Sequence, residues 1–281
     1  MARPVSDLHR FWRDPALPFL EAREVADGRD VCYGLHSHPT FSIGLVTGGR
    51  SEYRNGRARH EAAPGTVVLM NPEEAHACNP LQDLPWSYRM LYADVPWLTE
   101  IQQGGGFRPY GAVLSTDPAL YGALNGLFDR LFDGTAEVLE KECAATSFFA
   151  GLHRRLEQGG EQARRMDADG TPAGLERAAD FITANCTEPL RLADVCAASG
   201  LSPSYLVRAF KARYGLTPHA YQVNRRIQYG QRELRRGRPI VEVALEAGFA
   251  DQAHFQRAFK RHLAATPRQY AVTGYAVARA A

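Results

Sequence analysis

Residues 249–270 read FADQAHFQRAFKRHLAATPRQY. Phe255 and Phe259 stand four apart, the spacing of one helical face, while Gln252, Gln256 and Lys260 with Ala253 and Arg257 make up the opposite face. A similar string, GLSPSYLVRAFKARYGLTPHAY, occupies residues 200–221. Setting Leu206–Lys211 over Phe255–Lys260 gives an offset of 49 residues, which also pairs Thr217-Pro218 with Thr266-Pro267 and Tyr221 with Tyr270. Gly200 and Gly248 pair at an offset of 48, so the second turn carries one more residue. Self-similarity of this kind marks a duplicated supersecondary unit.

Each unit opens with a short amphipathic segment, Leu192-Ala193-Val195-Cys196 in the first and Ile240-Val243-Ala244-Ala247 in the second. A turn glycine and a second helix follow, which predicts helix-turn-helix motifs over about 192–214 and 240–263. In that layout the second helix enters the major groove of DNA. Amide and guanidinium groups present paired hydrogen bonds to base edges, and Lys neutralises phosphate. A solvated amphipathic helix accounts for one such segment; duplication with the turn glycine and the Thr-Pro-x-x-Tyr tail weighs against it.

On these residues the last hundred positions resemble the AraC/XylS-type transcription regulators. The motifs are Gly248-Phe249, His254-Phe255-Gln256-Arg257-Ala258-Phe259-Lys260 and Thr266-Pro267-Arg268-Gln269-Tyr270. One departure is Ala264, where the family usually has the glycine that ends the recognition helix; Gly215 keeps that role in the first unit. Gly230, inside the helix expected to join the units, costs about 1 kcal/mol relative to Ala. The resemblance implies two motifs held by that helix in successive major grooves, with Pro203, Ser204, Val207 and Arg208 of the first and Gln252, His254, Gln256 and Arg257 of the second at the bases. Lys211, Lys260 and Arg261 are expected at phosphates. Arg208 and Arg257 could equally hold a phosphate or a neighbouring carboxylate.

The amino-terminal part reads differently. HSHPTFSIGLVTGG, SEYRNGRARHEAAPGTVVLMNP and WSYRMLYADVPW are short, β-branched or aromatic, and punctuated by Gly, Pro and Asn, with the hairpin pair Asn55-Gly56 among them. Many short strands at close spacing suggest a barrel or a double-sheet sandwich over residues 1–115. Helical periodicity takes over at Pro118–Phe132 and Ala136–Glu157, where Ala145, Phe149, Leu152 and Leu156 form one stripe. This segment, 116–158, serves either to dimerise or to pack on its own barrel. A polar, Gly-rich linker is expected over 159–174 and an all-helical DNA-binding domain over 175–275. The fold class is α+β multidomain, a cupin-like barrel with packing helices followed by an all-α domain with two helix-turn-helix motifs.

The strand region is similar to the cupin-like sensor domains attached to many AraC-type regulators. His36 and His38 stand two apart and His76 follows, as in metal-binding cupins, but the Glu expected soon after the pair is missing. The three imidazoles could hold a metal, line an effector pocket, or be structural. Strand parity adds Tyr53, Tyr88, Arg89 and Tyr92 to the pocket lining.

Charge and composition bound the rest. From Pro172 onward there are 16 Lys and Arg against 8 Asp and Glu, a net of +8, whereas the preceding part has 17 against 23, a net of −6. A basic part joined to an acidic one suggests that only the former meets a polyanion. Five scattered cysteines with no CxxC pair, no long apolar run and no secretion-signal core point to reduced thiols in a cytoplasmic protein that does not enter a membrane. The expected partners are double-stranded DNA, a small-molecule effector, a second copy of the chain and, by resemblance, RNA polymerase. No cofactor and no enzymatic activity are expected. The alternatives are a cupin metalloenzyme with an appended helical domain and a DNA-binding protein without an effector.

Overall fold

A computed structural model of the chain describes residues 9–29, 33–56, 58–81, 85–103, 105–157 and 173–272. The stretch expected as linker lies outside the described residues except for Ala173 and Gly174, which already belong to a helix.

The first part of the chain holds nine strands among the described residues: β1 (His9–Arg13), β2 (Leu20–Val25), β3 (Phe41–Gly48), β4 (Ser51–Asn55), β5 (Ala58–Ala62), β6 (Val67–Met70), β7 (His76–Pro80), β8 (Ser87–Ala93) and β9 (Leu114–Ser115). They form two sheets, six strands in the order β1-β2-β8-β3-β6-β9 and three in the order β5-β4-β7, every pairing antiparallel. Two facing sheets thus realise the double-sheet form of the cupin-like architecture, without one continuous hydrogen-bonded barrel.

Alternation along β3 and β8 divides the large sheet into two faces. Phe41, Ile43, Leu45, Leu91 and Ala93 pack against α1 (Val95–Ile101), α2 (Pro118–Phe132) and α3 (Val138–Glu157). Val46, Tyr88 and Met90 turn the other way and share an apolar cluster with Tyr53 of the small sheet. The α3 stripe Ala145, Phe149 and Leu152 is buried in the same chain's core, with Leu156 packed at its edge. That stripe is used internally, so a second copy would need another surface.

The remaining helices are α4 (Ala173–Ala184), α5 (Leu192–Ser199), α6 (Pro203–Tyr214), α7 (Pro218–Arg235), α8 (Ile240–Glu246), α9 (Gln252–Leu263) and α10 (Pro267–Val272). The repeat seen in sequence becomes two equivalent cores. Leu206, Phe210 and Tyr221 are buried in the first, and Phe255, Phe259 and Tyr270 in the second. The Thr-Pro pairs act as helix starts. Thr217 accepts a hydrogen bond from the Ala220 amide at 3.2 Å and Thr266 one from Gln269 at 3.2 Å, each with proline at the first helical position.

Candidate functional site

The turns aim the two second helices. Gly200 ends α5 at φ 72°, and Gly248 stands at φ 79° before α9. A Cβ on Gly248 would lie 2.2 Å from the Thr187 carbonyl oxygen, so this close approach admits glycine alone. Asp251 caps α9 by accepting from the His254 amide at 2.6 Å.

With Leu206 and Phe210 buried, α6 leaves Pro203, Ser204, Arg208 and Lys211 exposed and Val207 half-buried. On α9, His254, Arg257, Lys260 and Arg261 are exposed and Gln252 and Gln256 half-buried, while Phe255 and Phe259 face inward. The His254 ring rests edge-on against Phe249 at 5.1 Å. Arg208 bonds only back to the Ser204 carbonyl, and among the described residues neither Arg208 nor Arg257 forms an ion pair with a carboxylate. Among the described residues both guanidinium groups thus keep donors for another acceptor.

The C-terminal end of α9 faces the sheets instead of open solvent. The Gly34 amide donates to the Arg261 carbonyl at 2.8 Å, and Arg23 donates to the Leu263 carbonyl at 2.6 Å and the Ala264 carbonyl at 3.5 Å. The cap residue Ala264 takes the left-handed conformation at φ 50°, and its N–H closes onto the Lys260 carbonyl at 2.7 Å. A left-handed alanine costs roughly 1–2 kcal/mol. The cationic Arg23 on the last carbonyls and the burial of Ala264 among Val25, Tyr88 and Met90 work against that cost. The departure from glycine at this cap therefore belongs to the contact with the sheets.

A second contact runs along α7. Asn224 donates to the Ser37 carbonyl and hydroxyl, both at 3.0 Å, and Gln228 donates to the same carbonyl at 2.9 Å. Arg225 grips Glu73 through two bonds of 2.9 and 2.8 Å. Arg235 bonds Glu21, which also pairs with Arg13 at 2.8 Å. Burial would raise the Glu21 pKa, but these guanidinium groups prevail and hold it below the usual carboxylate value. Sequence reading missed this contact. Its one visible signal was amides at i, i+4, Asn224 and Gln228, on a helix where a solvated face would carry charges.

Between these contacts lies a cavity of about 300 Å³, walled by Arg23, Tyr33, His36, His38, Tyr92, Gln228 and His262. It meets a smaller apolar hollow of about 40 Å³ between the sheets, where Tyr33, His36, His38 and Tyr92 are again lining residues with His76, Tyr88 and Trp86. Five of the seven expected pocket residues come together here. Tyr53 does not line it, because its hydroxyl is spent on the Leu69 carbonyl at 2.7 Å. Arg89 is on the wrong face: it binds Glu24 at 2.9 Å and Asp129 at 2.6 Å under α2, as alternation with Tyr88 requires.

His36 and His38 precede β3 and lie outside any named strand, although a single bridge joins His36 to His76. The rings of His36 and His38 each stand 4.6 Å from that of His76. Each places Nδ1 against a backbone carbonyl, Gly34 for His36, Thr40 for His38 and Glu74 for His76, at 2.8, 3.0 and 2.8 Å. Burial, then the neighbouring imidazole, pushes His38 and His76 down to about 3 and His36 well below its ordinary value. The trio is neutral at pH 7. Nε2 of His38 meets the Ser42 hydroxyl at 3.3 Å. Among the described residues no group of three or more His, Cys, Asp or Glu is arranged to hold a metal ion. No described helix is long and apolar enough to cross a membrane.

Known proteins resemble both parts of this arrangement. Residues 195–272 match the helix-turn-helix domain family, and residues 20–167, more than half of the 281, match the AraC-like ligand binding domain. An HTH-type transcriptional regulator of Bacillus subtilis is 26% identical over 226 residues, covering 78% of this chain and 80% of its own. The arabinose operon regulatory protein of Salmonella typhimurium is 24% identical over 242 residues, covering 82% and 83%. Among solved structures, an apo ToxT variant from Vibrio cholerae superposes with a TM-score of 0.60 at 15% identity, over 92% of this chain and 98% of that one. A ToxT structure with bound unsaturated fatty acid gives 0.53 at 15% identity, over 95% of each chain. At such identities the structural likeness is one of fold. The two family matches go further, and with them the chain belongs to the AraC family of DNA-binding transcription regulators.

Proposed function

We propose that α6 and α9 read two successive major grooves while a small molecule in the cavity between the sheets and α7–α9 sets how the DNA-binding part is held. The observation carrying this reading is the grip of the sheets on the C-terminal end of α9, through Arg23 and Gly34, at the wall of that cavity. A ligand seated there touches the groups that hold a recognition helix. Regulation then follows from a different affinity for two arrangements of the domains, since equal affinity shifts nothing.

Within this reading Pro203, Ser204, Val207, Arg208, Gln252, His254, Gln256 and Arg257 face bases, and Lys211, Lys260 and Arg261 face phosphates. His36, His38, His76, Tyr88 and Tyr92 contact the effector. The domain limits are 1–115, 116–158, 159–174 and 175–275. Family membership adds a homodimer and RNA polymerase as partners; on α3, the exposed Val138 and Leu139 are the surface left for a second copy. No observation favours the metalloenzyme alternative.

The test is selection of duplexes from a random pool by the full chain, followed by titration of the enriched sequence at increasing salt. Enrichment of a defined motif, with log K falling by about 0.9 per phosphate neutralised, is the expected result. A pool that stays random contradicts the proposal.

A further inference from the structure

Arg23 lies in the core yet meets no anion among the described residues. It is 2% exposed, and among the described residues no carboxylate forms an ion pair with it. Its partners are the Tyr33 hydroxyl at 2.9 Å, the Leu263 carbonyl at 2.6 Å, His9 Nδ1 at 2.9 Å and the distant Ala264 carbonyl at 3.5 Å. Among the described residues its Nε finds no acceptor. The nearby Glu21 is already shared between Arg13 and Arg235. A buried guanidinium left without a counter-charge is costly, and such groups gather at binding sites.

This unbalanced charge lines the cavity of about 300 Å³, a size suited to a small ligand. At its inner side the cavity meets the apolar hollow lined by Leu45, Val46, Val68, Met70, Trp86 and Met90. Met70 and Met90 are unbranched and yield readily to a ligand's shape. The site therefore joins one cationic edge to an apolar slot.

We propose that the cavity binds an organic monocarboxylate with a compact apolar body, its carboxylate held by the Nε–Nη2 edge of Arg23 and its body directed between the sheets. The other charges lining the cavity, Arg232 and Arg235 against Glu21 and Asp94, balance one another, so the unpaired Arg23 calls for a monoanion. The fork of a guanidinium matches the two oxygens of a carboxylate. Nη2 carries the 3.5 Å contact to the Ala264 carbonyl, so a carboxylate taking this edge loosens the hold on the end of α9. The inference rests on the effector reading above and names the chemistry of its ligand.

The full chain is titrated calorimetrically and in thermal melts with straight-chain carboxylates from butanoate to hexadecanoate, benzoate and naphthoate, each beside its primary amide. At least one acid should bind and stabilise the protein, about tenfold or more tighter than its amide, a difference set by one charged hydrogen-bonded pair. Arg23→Gln should bring acid and amide to equal affinity. An amide as tight as its acid in the natural chain overturns the proposal whether or not the variant folds, and so does the absence of any acid binding at millimolar concentration. If neutral compounds bind and alter DNA affinity, the effector reading stands and the carboxylate assignment falls. If no duplex is ever selected, the regulatory reading fails while the acid-against-amide comparison still decides the ligand's charge.

Discussion

Replacing Gly230 by alanine sets two effects of known size against each other. Helix propensity favours alanine by about 1 kcal/mol at an internal position of α7. The packing says otherwise: a Cβ at 230 would lie 2.7 Å from Cε2 and 2.8 Å from Cζ of Phe255. That ring has no room to retreat, being fully buried with Phe249 and Phe259 at centroid distances of 5.3 Å each. Overpacking of this kind costs typically about 1–3 kcal/mol, and a hemmed-in ring places it in the upper half. The variant should therefore lose about 1–2 kcal/mol net in urea unfolding of the full chain followed by circular dichroism. Because Phe255 is the anchor of α9, binding to the half-site read by that helix should weaken more than binding to the other. Adding Phe255→Leu should recover part of the Gly230→Ala loss, a coupling that a double-mutant cycle measures. A Gly230→Ala protein more stable than the parent, with unchanged DNA binding, would refute this reasoning.

Other consequences are as direct. His76 is 4% exposed, and its pKa falls from 6.5 unfolded to about 3 folded, so the unfolded chain binds the extra proton between those values. Stability must then fall as pH drops below 6.5, by about 2 kcal/mol from this residue alone at pH 5, with His38 acting in the same direction. Flat denaturation midpoints between pH 7 and 5 would rule that out. Glu73→Gln removes the partner of Arg225 across the contact with α7; with Glu73 partly open to solvent, the expected loss is only about 1 kcal/mol in the same unfolding assay, and a neutral result would mean the pair merely orients the contact. Arg257→Ala should relax discrimination at particular base pairs by about 1–3 kcal/mol, whereas Lys260→Ala should weaken all sequences alike and flatten the salt dependence; identical binding profiles for the two variants would undo the division between base and phosphate contacts.

Much of this was legible because repetition and periodicity are local. Phe255 and Phe259 repeat Leu206 and Phe210, and both pairs are buried as their spacing requires. The Pro118–Phe132 helix follows directly from its proline start and apolar period. What stayed hidden depends on contacts far apart in the chain. Gly230 reads as a helix flaw until Phe255 is seen against it, and Ala264 as a poor cap until Arg23 and the sheet cluster meet it. Arg23 itself has no sequence signal, since a basic residue in an alternating strand reads as solvated. The string that begins with His36 and His38 reads as a strand, but the backbone before β3 carries only one bridge at this pair. Arg89 and Tyr53 went astray for different reasons. Parity alone cannot choose which face is the pocket, and it does not reveal that a hydroxyl has been taken by a main-chain carbonyl.

The most direct measurement concerns phase. A duplex carrying the selected motif is compared with one in which about five base pairs, half a helical turn, are inserted between its two half-sites, and with one carrying a full turn. Two rigidly joined helices reading one face of the DNA predict that the half-turn insertion removes the contribution of one half-site and rotates its footprint out of reach. Equal affinity and an unbroken footprint at every spacing would contradict the idea that α6 and α9 engage the double helix together.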